Sequence, residues 1–256
     1  MTERWLLALA TTIIAGAGLI AWRSILGGER SRWTFPLMAL GALFQLMALG
    51  IRGEMRAACP LADLGEILAF LAWSLTLFYL AVGQVYRISL LGLFSAPLVV
   101  ILQIIALIPG VMDPNPQAVT ETNFWKETHA PLSVLSIGAL ALAAVAALMF
   151  LLLDNLLKKQ KLSSSLLQNL PPIPNLIDST KRLLLIGLVI LTFGILAGFL
   201  TPGLAINSHL ITSTIVWLGY AALVLLSYLR GIPPRRLAFS SIALFLLTLV
   251  AFTSEF

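Results

Sequence analysis

Residues 131–157 read PLSVLSIGALALAAVAALMFLLLDNLL. Between Pro131 and Leu153 there is no charged side chain. About 20 mostly apolar residues suffice to cross the hydrocarbon core of a bilayer as an α-helix. A helix apolar on every face has no side to offer to water. This segment alone therefore places the chain in lipid. The same test, carried outward, gives seven further candidate spans: Trp5–Gly27, Thr34–Ile51, Leu64–Tyr86, Ser89–Val111, Leu183–Leu200, Leu210–Leu229 and Leu237–Thr253. Thr34–Ile51 is short and is accommodated by tilt or by local thinning of the bilayer. Trp5–Gly27 has small residues, Ala15-Gly16-Ala17, that suit a signal cleavage site. Its long apolar run and the single preceding cation, Arg4, favour a retained span. The reading is an all-α polytopic membrane bundle with about eight transmembrane helices, forming one integral membrane domain over residues 1–256.

Composition agrees. Of 256 residues, 59% are hydrophobic and 11% charged, against about 25% charged in a soluble domain. The net charge of +5 does not form a stripe suited to nucleic acid, so that partner class is excluded. Cys59 is the sole cysteine, which rules out an intramolecular disulfide and any multi-cysteine metal site.

The charges lie between the apolar runs, and their distribution orients the chain. With the N-terminus outside, the inner loops hold Arg23, Arg30, Arg32, Arg87, Lys158, Lys159, Lys161, Lys181, Arg182, Arg230, Arg235 and Arg236. The outer segments hold Arg4, Arg52, Arg56 and Lys126. Cytoplasmic loops collect Lys and Arg because such segments resist translocation. The split of twelve to four predicts both termini outside, in a bacterial-type cytoplasmic (inner) membrane. Two loops are long: the polar outer stretch Met112–Ala130, and the inner stretch Lys158–Arg182, whose Pro171, Pro172 and Pro174 prevent a continuous helix. The pair Gly194/Gly198 and the strip Ala139/Ala143/Ala147 carry the small-residue spacing of close helix packing.

Few residues are equipped for chemistry. The two histidines, His129 and His209, fall just before the fifth and seventh spans, both on the outer side in this orientation. Two imidazoles at one end of a bundle suit the axial positions of a haem iron; the plainer reading is a pair of interfacial polar residues. Glu66 and Asp154 are ionisable groups near helix ends, where a carboxylate can reach water or serve a structural role. The amides Gln45, Gln84 and Gln103 suit interhelical hydrogen bonds. There is no phosphate loop, His-Glu-x-x-His motif or nucleophile elbow, so the chain is not expected to be an enzyme. A transporter often has matched broken helices in its two halves. Pro97 interrupts the fourth span, but nothing in the second half answers it.

Four stretches resemble the membrane-integral cytochrome c assembly proteins of the CcsA/HemX type. The first is Cys59-Pro60-Leu61-Ala62-Asp63-Leu64-Gly65-Glu66, running into Ala72-Trp73-Ser74-Leu75-Thr76. The second runs from Gly92 through Ala96-Pro97-Leu98. The third is His129-Ala130-Pro131-Leu132-Ser133 with Leu135-Ser136, Asp154 and Lys158-Lys159-Gln160-Lys161. The fourth runs from Leu170-Pro171 through Lys181-Arg182, Gly187, Leu191-Thr192-Phe193-Gly194-Ile195-Leu196-Ala197-Gly198, Trp217 and Tyr220 to Arg230-Gly231 and Arg235-Arg236. Together they cover roughly residues 35–250 in order. The resemblance implies haem handling at the outer face, with His129 matching an external haem ligand, beside a second cytochrome c assembly membrane protein.

The departures are as informative. Haem-handling members carry a tryptophan-rich segment ending in Trp-Asp where this chain has Thr201-Pro202-Gly203-Leu204-Ala205-Ile206-Asn207-Ser208. A second external histidine near the chain end is missing, and a histidine frequent in the second helix is matched by Gln45. His209 lies outside the family's motif; its role as a substitute ligand follows from chemistry alone. The resulting expectation is a haem-related cytochrome c assembly protein that binds or delivers haem b and uses His129 and His209 as iron ligands. The alternatives are a HemX-like accessory protein that modulates haem synthesis or stabilises a partner without binding haem, and a small-molecule transporter.

Overall fold

The computed structural model describes residues 2–27, 31–86, 89–119, 123–158, 173–201 and 208–253. Eight α-helices account for most of them: α1 Thr2–Leu26, α2 Thr34–Arg56, α3 Leu64–Tyr86, α4 Ser89–Leu107, α5 Phe124–Lys158, α6 Ile173–Phe199, α7 Ser208–Leu229 and α8 Pro234–Thr253. Seven of the eight, all but α4, are long and apolar enough to cross a membrane. The protein is a polytopic helical membrane protein, and the described residues contain no strand.

Helix boundaries depart from the sequence reading where a proline or a charge misled it. α4 stops at Leu107, not Val111. A tight turn follows, in which the Ile108 and Val111 amides donate to the carbonyls of Ile105 and Ile108. Gly110 supplies the positive φ of 91° that this turn needs. α2 runs on past Ile51 to Arg56, and Ala57 closes it in the left-handed region at φ 53°. α5 starts at Phe124, so His129 lies inside its second turn and not ahead of it. α6 starts at Ile173, with Pro174 in the first turn, where a proline costs no helical hydrogen bond.

The chain forms two compact units. Unit 1 comprises Met1–Thr122 and Leu156–Pro172. Within it α1 packs on α2 and α4, and α3 packs on α4 and α2. Small residues let these backbones close: Ala10, Ala17, Ala72, Ala96 and Ala106 are fully buried, and a Cβ on Gly41 would lie 2.5 Å from Ile14 Cγ1. Lipid offers no hydrophobic drive between apolar helices, so such close packing carries much of the association. Trp5 at one end of α1 and Trp22 at the other are exposed. They are separated by about 25 Å at 1.5 Å per residue, close to the thickness of a hydrocarbon core, as in an aromatic belt.

Unit 2 comprises Asn123–Asn155 and Ile173–Phe256. α5 and α6 meet along glycines. A Cβ on Gly187 would fall 2.7 Å from Leu140 Cδ2, one on Gly194 3.3 Å from Ser133 Oγ, and one on Gly198 2.9 Å from His129 Nδ1. The Gly194/Gly198 pair is thus a helix-packing device, as its spacing indicates. Polar side chains add cross-links. Trp217 Nε1 donates to Thr192 Oγ1 at 2.8 Å, joining α7 to α6. Arg235 Nε donates to Asp154 Oδ2 at 2.5 Å, joining α8 to α5.

Candidate functional site

Two polar constellations stand out, one in each unit. In unit 1 the end of α2 and the start of α3 form a buried ion cluster. Asp63-Leu64-Gly65-Glu66 caps α3 in the manner of a capping box: Asp63 Oδ1 accepts from the Glu66 amide at 2.8 Å, and Glu66 Oε2 accepts from the Ala62 amide at 2.9 Å. The remaining oxygen of each carboxylate faces α2. Arg52 donates through Nε to Glu66 Oε1 at 2.6 Å and through Nη2 to Asp63 Oδ2 at 3.1 Å. Arg56, one turn on, donates to the same two oxygens. Glu66 is fully buried and Arg52 is 2% exposed.

This cluster also holds the chain that follows α4. The Asp113 amide donates to Asp63 Oδ2, the Val119 amide to the Arg56 carbonyl, and Arg4 Nη2 to the Met112 carbonyl. Arg52 and Arg56 are therefore not loop charges. Each guanidinium taken out of water costs several kcal/mol, which the paired carboxylates offset, although the buried Arg52 Nη1 bonds to no other described residue. The sequence did contain a signal: arginines at i and i+4, followed by an Asp-x-x-Glu cap. The cluster is balanced and inward-facing, and its role is architectural. Glu66 is structural, as one reading of its position near a helix end expected, and Asp154 likewise pairs with Arg235. Gln45 and Gln103 overturn the expectation of interhelical hydrogen bonds: both are fully buried, and their amides bond to no other described residue. The side chain of Gln84 lies outside the described residues.

The second constellation lies in unit 2. The His129 Nδ1 is 2.7 Å from the Gly194 carbonyl oxygen. A carbonyl only accepts, so Nδ1 carries a proton, and in the neutral ring the lone pair is on Nε2. That tautomer suits metal ligation through Nε2, and a backbone carbonyl is a frequent orienting partner. Gly198 makes the approach possible, since any Cβ there would collide with the ring. One turn along α5, Ser133 borders a small half-open cavity of about 50 Å³. Five of its ten lining residues are hydroxylic (Ser133, Ser136, Thr212, Ser213 and Thr248), and the other five are aliphatic.

α5 and α7 thus border one cavity. His129 precedes Ser133 by one turn on α5, and His209 precedes Ser213 by one turn on α7. The side chain of His209 lies outside the described residues, as does the stretch 202–207 where the tryptophan-rich segment would fall. Haem iron is held by His, Cys, Met or Tyr side chains. The described residues fit that need at His129, and they contain no cluster of three or more His, Cys, Asp or Glu that would suit a bare metal ion.

A helical membrane protein with an oriented imidazole beside an intramembrane cavity is a class with several members. The particular assignment comes from comparison. The sequence profile of the cytochrome C assembly protein family matches residues 61–256. The chain belongs to the cytochrome C assembly protein family. It is also similar to protein HemX of Brevibacillus brevis, with 27% identity over 230 residues, covering 88% of this chain and 83% of that protein.

Proposed function

We propose that this protein binds haem b at the outer face of a bacterial-type cytoplasmic membrane, as a binding or delivery scaffold for cytochrome c assembly. The observation that carries the reading is the His129 imidazole, held by the Gly194 carbonyl with its lone pair on Nε2, beside a cavity that α7 also borders. When bound, haem would supply an iron that accepts imidazole nitrogen. His129 would hold it, with His209, at the start of α7, as the second imidazole. Gly194 fixes the tautomer, and Gly198 leaves room for the ring. No residue here is asked to break or form a covalent bond, so the chain acts by binding, not by catalysis.

The family supports the link to cytochrome c assembly, and the placement of His129 supports haem. A partner from the same assembly process would take haem onward. The test is purification in mild detergent after growth with excess haem precursor, followed by oxidised and reduced absorption spectra. A low-spin spectrum with haem near one per chain is the expected result. Monodisperse protein with no haem under any loading condition would overturn it.

A second reading is favoured by one specific observation. The likeness to HemX extends over most of the chain, while residues 201–208 contain no tryptophan. On that reading the fold serves as an accessory scaffold for haem synthesis or for another membrane protein, and the haem-free outcome of the same experiment selects it. Proteoliposome uptake distinguishes either from a small-molecule transporter.

A further inference from the structure

Unit 1 carries a groove of about 520 Å³ beside the first two turns of α1, a volume within the range of sites that hold small ligands. Its described lining is Glu3, Arg4, Trp5 and Ala8 from α1, Leu107 from the end of α4, and Pro114 beyond it. The wall is chiefly apolar, and one guanidinium borders it. Arg4 Nη2 donates to the Met112 carbonyl at 2.9 Å, while the buried Arg4 Nε bonds to no other described residue. A guanidinium carries five N–H donors in a planar fork that suits phosphate oxygens. Arg4 therefore keeps donor capacity for an anion. Glu3 does not cancel it. That side chain is 4% exposed and lies in the field of Arg52. With Arg52 and Glu66 it also lines a separate inner void of about 10 Å³.

Depth selects the ligand. Trp5, next to Arg4, is 75% exposed, and an exposed tryptophan at the end of a spanning helix sits at headgroup level. Arg4 is thus at the depth of lipid phosphates, with apolar wall one turn further in at Ala8. We infer that the groove seats one phospholipid of the leaflet at the N-terminal end of α1, its phosphate on Arg4 and the upper part of an acyl chain against Ala8 and Leu107. An anionic headgroup suits the site better than a choline headgroup, whose own ammonium already neutralises its phosphate. A partner helix suits it less well. On α1 the lining runs from Glu3 to Ala8, about 7.5 Å at 1.5 Å per residue. Helix seams in lipid are built on repeated small residues, and of the described lining residues only Ala8 is small. A lipid held here bridges α1 and the chain that follows α4, the two segments that the Arg4 bond to Met112 already joins.

The test uses the full chain in mild detergent. Phosphatidylglycerol and phosphatidylcholine with the same acyl chains are titrated in, and bound lipids are counted by native mass spectrometry. The first phosphatidylglycerol should bind roughly fivefold more tightly than the first phosphatidylcholine, the scale of one basic residue's attraction to an anionic lipid surface. Arg4→Gln should remove that preference and leave phosphatidylcholine binding unchanged. Because Arg4 also holds the Met112 carbonyl, a second variant leaves the guanidinium in place. Ala8→Phe fills the groove and should weaken the first binding step of both lipids. Melting temperatures identify the variants that fold, and Ala8→Phe decides the matter if Arg4→Gln does not. Glycerol 3-phosphate should not compete, since it lacks the acyl chains; displacement of the lipid by it would overturn the lipid assignment in favour of a free phosphate site. Equal affinity of the two lipids for the wild type would overturn the role of Arg4. Undiminished binding in folded Ala8→Phe would overturn the groove as the seat.

Discussion

Arg52 Nε donates to Glu66 Oε1 at 2.6 Å, and neither side chain reaches solvent. Arg56 uses the same carboxylate oxygen, so a single group balances two guanidinium ions with the help of Asp63. Removing it has a large predicted effect. Glu66→Ala should destabilise the protein by about 3–5 kcal/mol, the cost of leaving buried charge uncompensated. Replacing Arg52 and Glu66 together by Met and Leu should be milder than Glu66→Ala alone, because no orphan charge remains. Denaturant unfolding in detergent, followed by tryptophan fluorescence, ranks the variants. A double variant worse than Glu66→Ala would show that the cluster contributes more than charge balance.

Much of this architecture was legible in the sequence, and the failures have physical causes. The apolar runs fix the helices because lipid tolerates no unsatisfied backbone. Hydropathy treats an arginine as the end of a span, however, which places the end of α2 at Ile51, although Arg52 and Arg56 continue it. Only a partner distant in sequence, the cap at Asp63 and Glu66, makes burial of those arginines possible. Pro171, Pro172 and Pro174 argue against a continuous helix through 158–182, yet Pro174 is tolerated in the first turn of α6. His129 was recognised by its family position. Nothing in the sequence announced that Gly194 would fix its tautomer, since a backbone carbonyl carries no signature. The Gly194/Gly198 spacing indicated close packing without naming the ring that lies against it.

Orientation is the second prediction. The outer segments hold Arg4, Arg52, Arg56 and Lys126, against twelve cations on the inner side. That asymmetry predicts both termini and the loop Met112–Ala130 outside, with Lys158–Arg182 inside. Single cysteines introduced into each segment on a Cys59→Ser background, probed with a membrane-impermeant thiol reagent in intact cells, read this directly. Labelling of residues 112–130 only after permeabilisation would reverse the orientation and remove the outer-face assignment of His129.

Cys59 supplies the background for that experiment and a prediction of its own. It lies between α2 and α3, half-buried beside Pro60, and the chain has no second cysteine to bridge. Cys59→Ser should change stability by no more than about 0.5 kcal/mol. Size-exclusion profiles and unfolding midpoints should match the wild type. A broadened or aggregated profile would show that the thiol packs against something the serine hydroxyl cannot replace.

The last prediction addresses the imidazole and the glycine beneath it. His129→Ala should abolish haem retention if His129 is an iron ligand, and His209→Ala should shift the spectrum towards high spin, because one strong axial ligand is lost. These two results do not establish that the orientation of the ring matters. Gly198→Ala does. The added Cβ would lie 2.9 Å from Nδ1 and equally close to Leu210 Cδ2, inside the distance that real side chains keep. The ring must lift off α6 and lose its bond to the Gly194 carbonyl, which frees the tautomer and the ring angle. Haem affinity should fall about tenfold, in line with losses seen when the partner that orients a metal-bound histidine is removed. Gly194→Ala is the matched control: its Cβ meets Ser133 Oγ at 3.3 Å, a contact a serine rotamer can relieve, and it leaves His129 in place. Haem titration of the three proteins, with melting temperatures to confirm folding, separates the cases. Equal affinity in Gly198→Ala and wild type, with the fold intact, would show that the hydrogen bond to Gly194 orients nothing that haem binding uses.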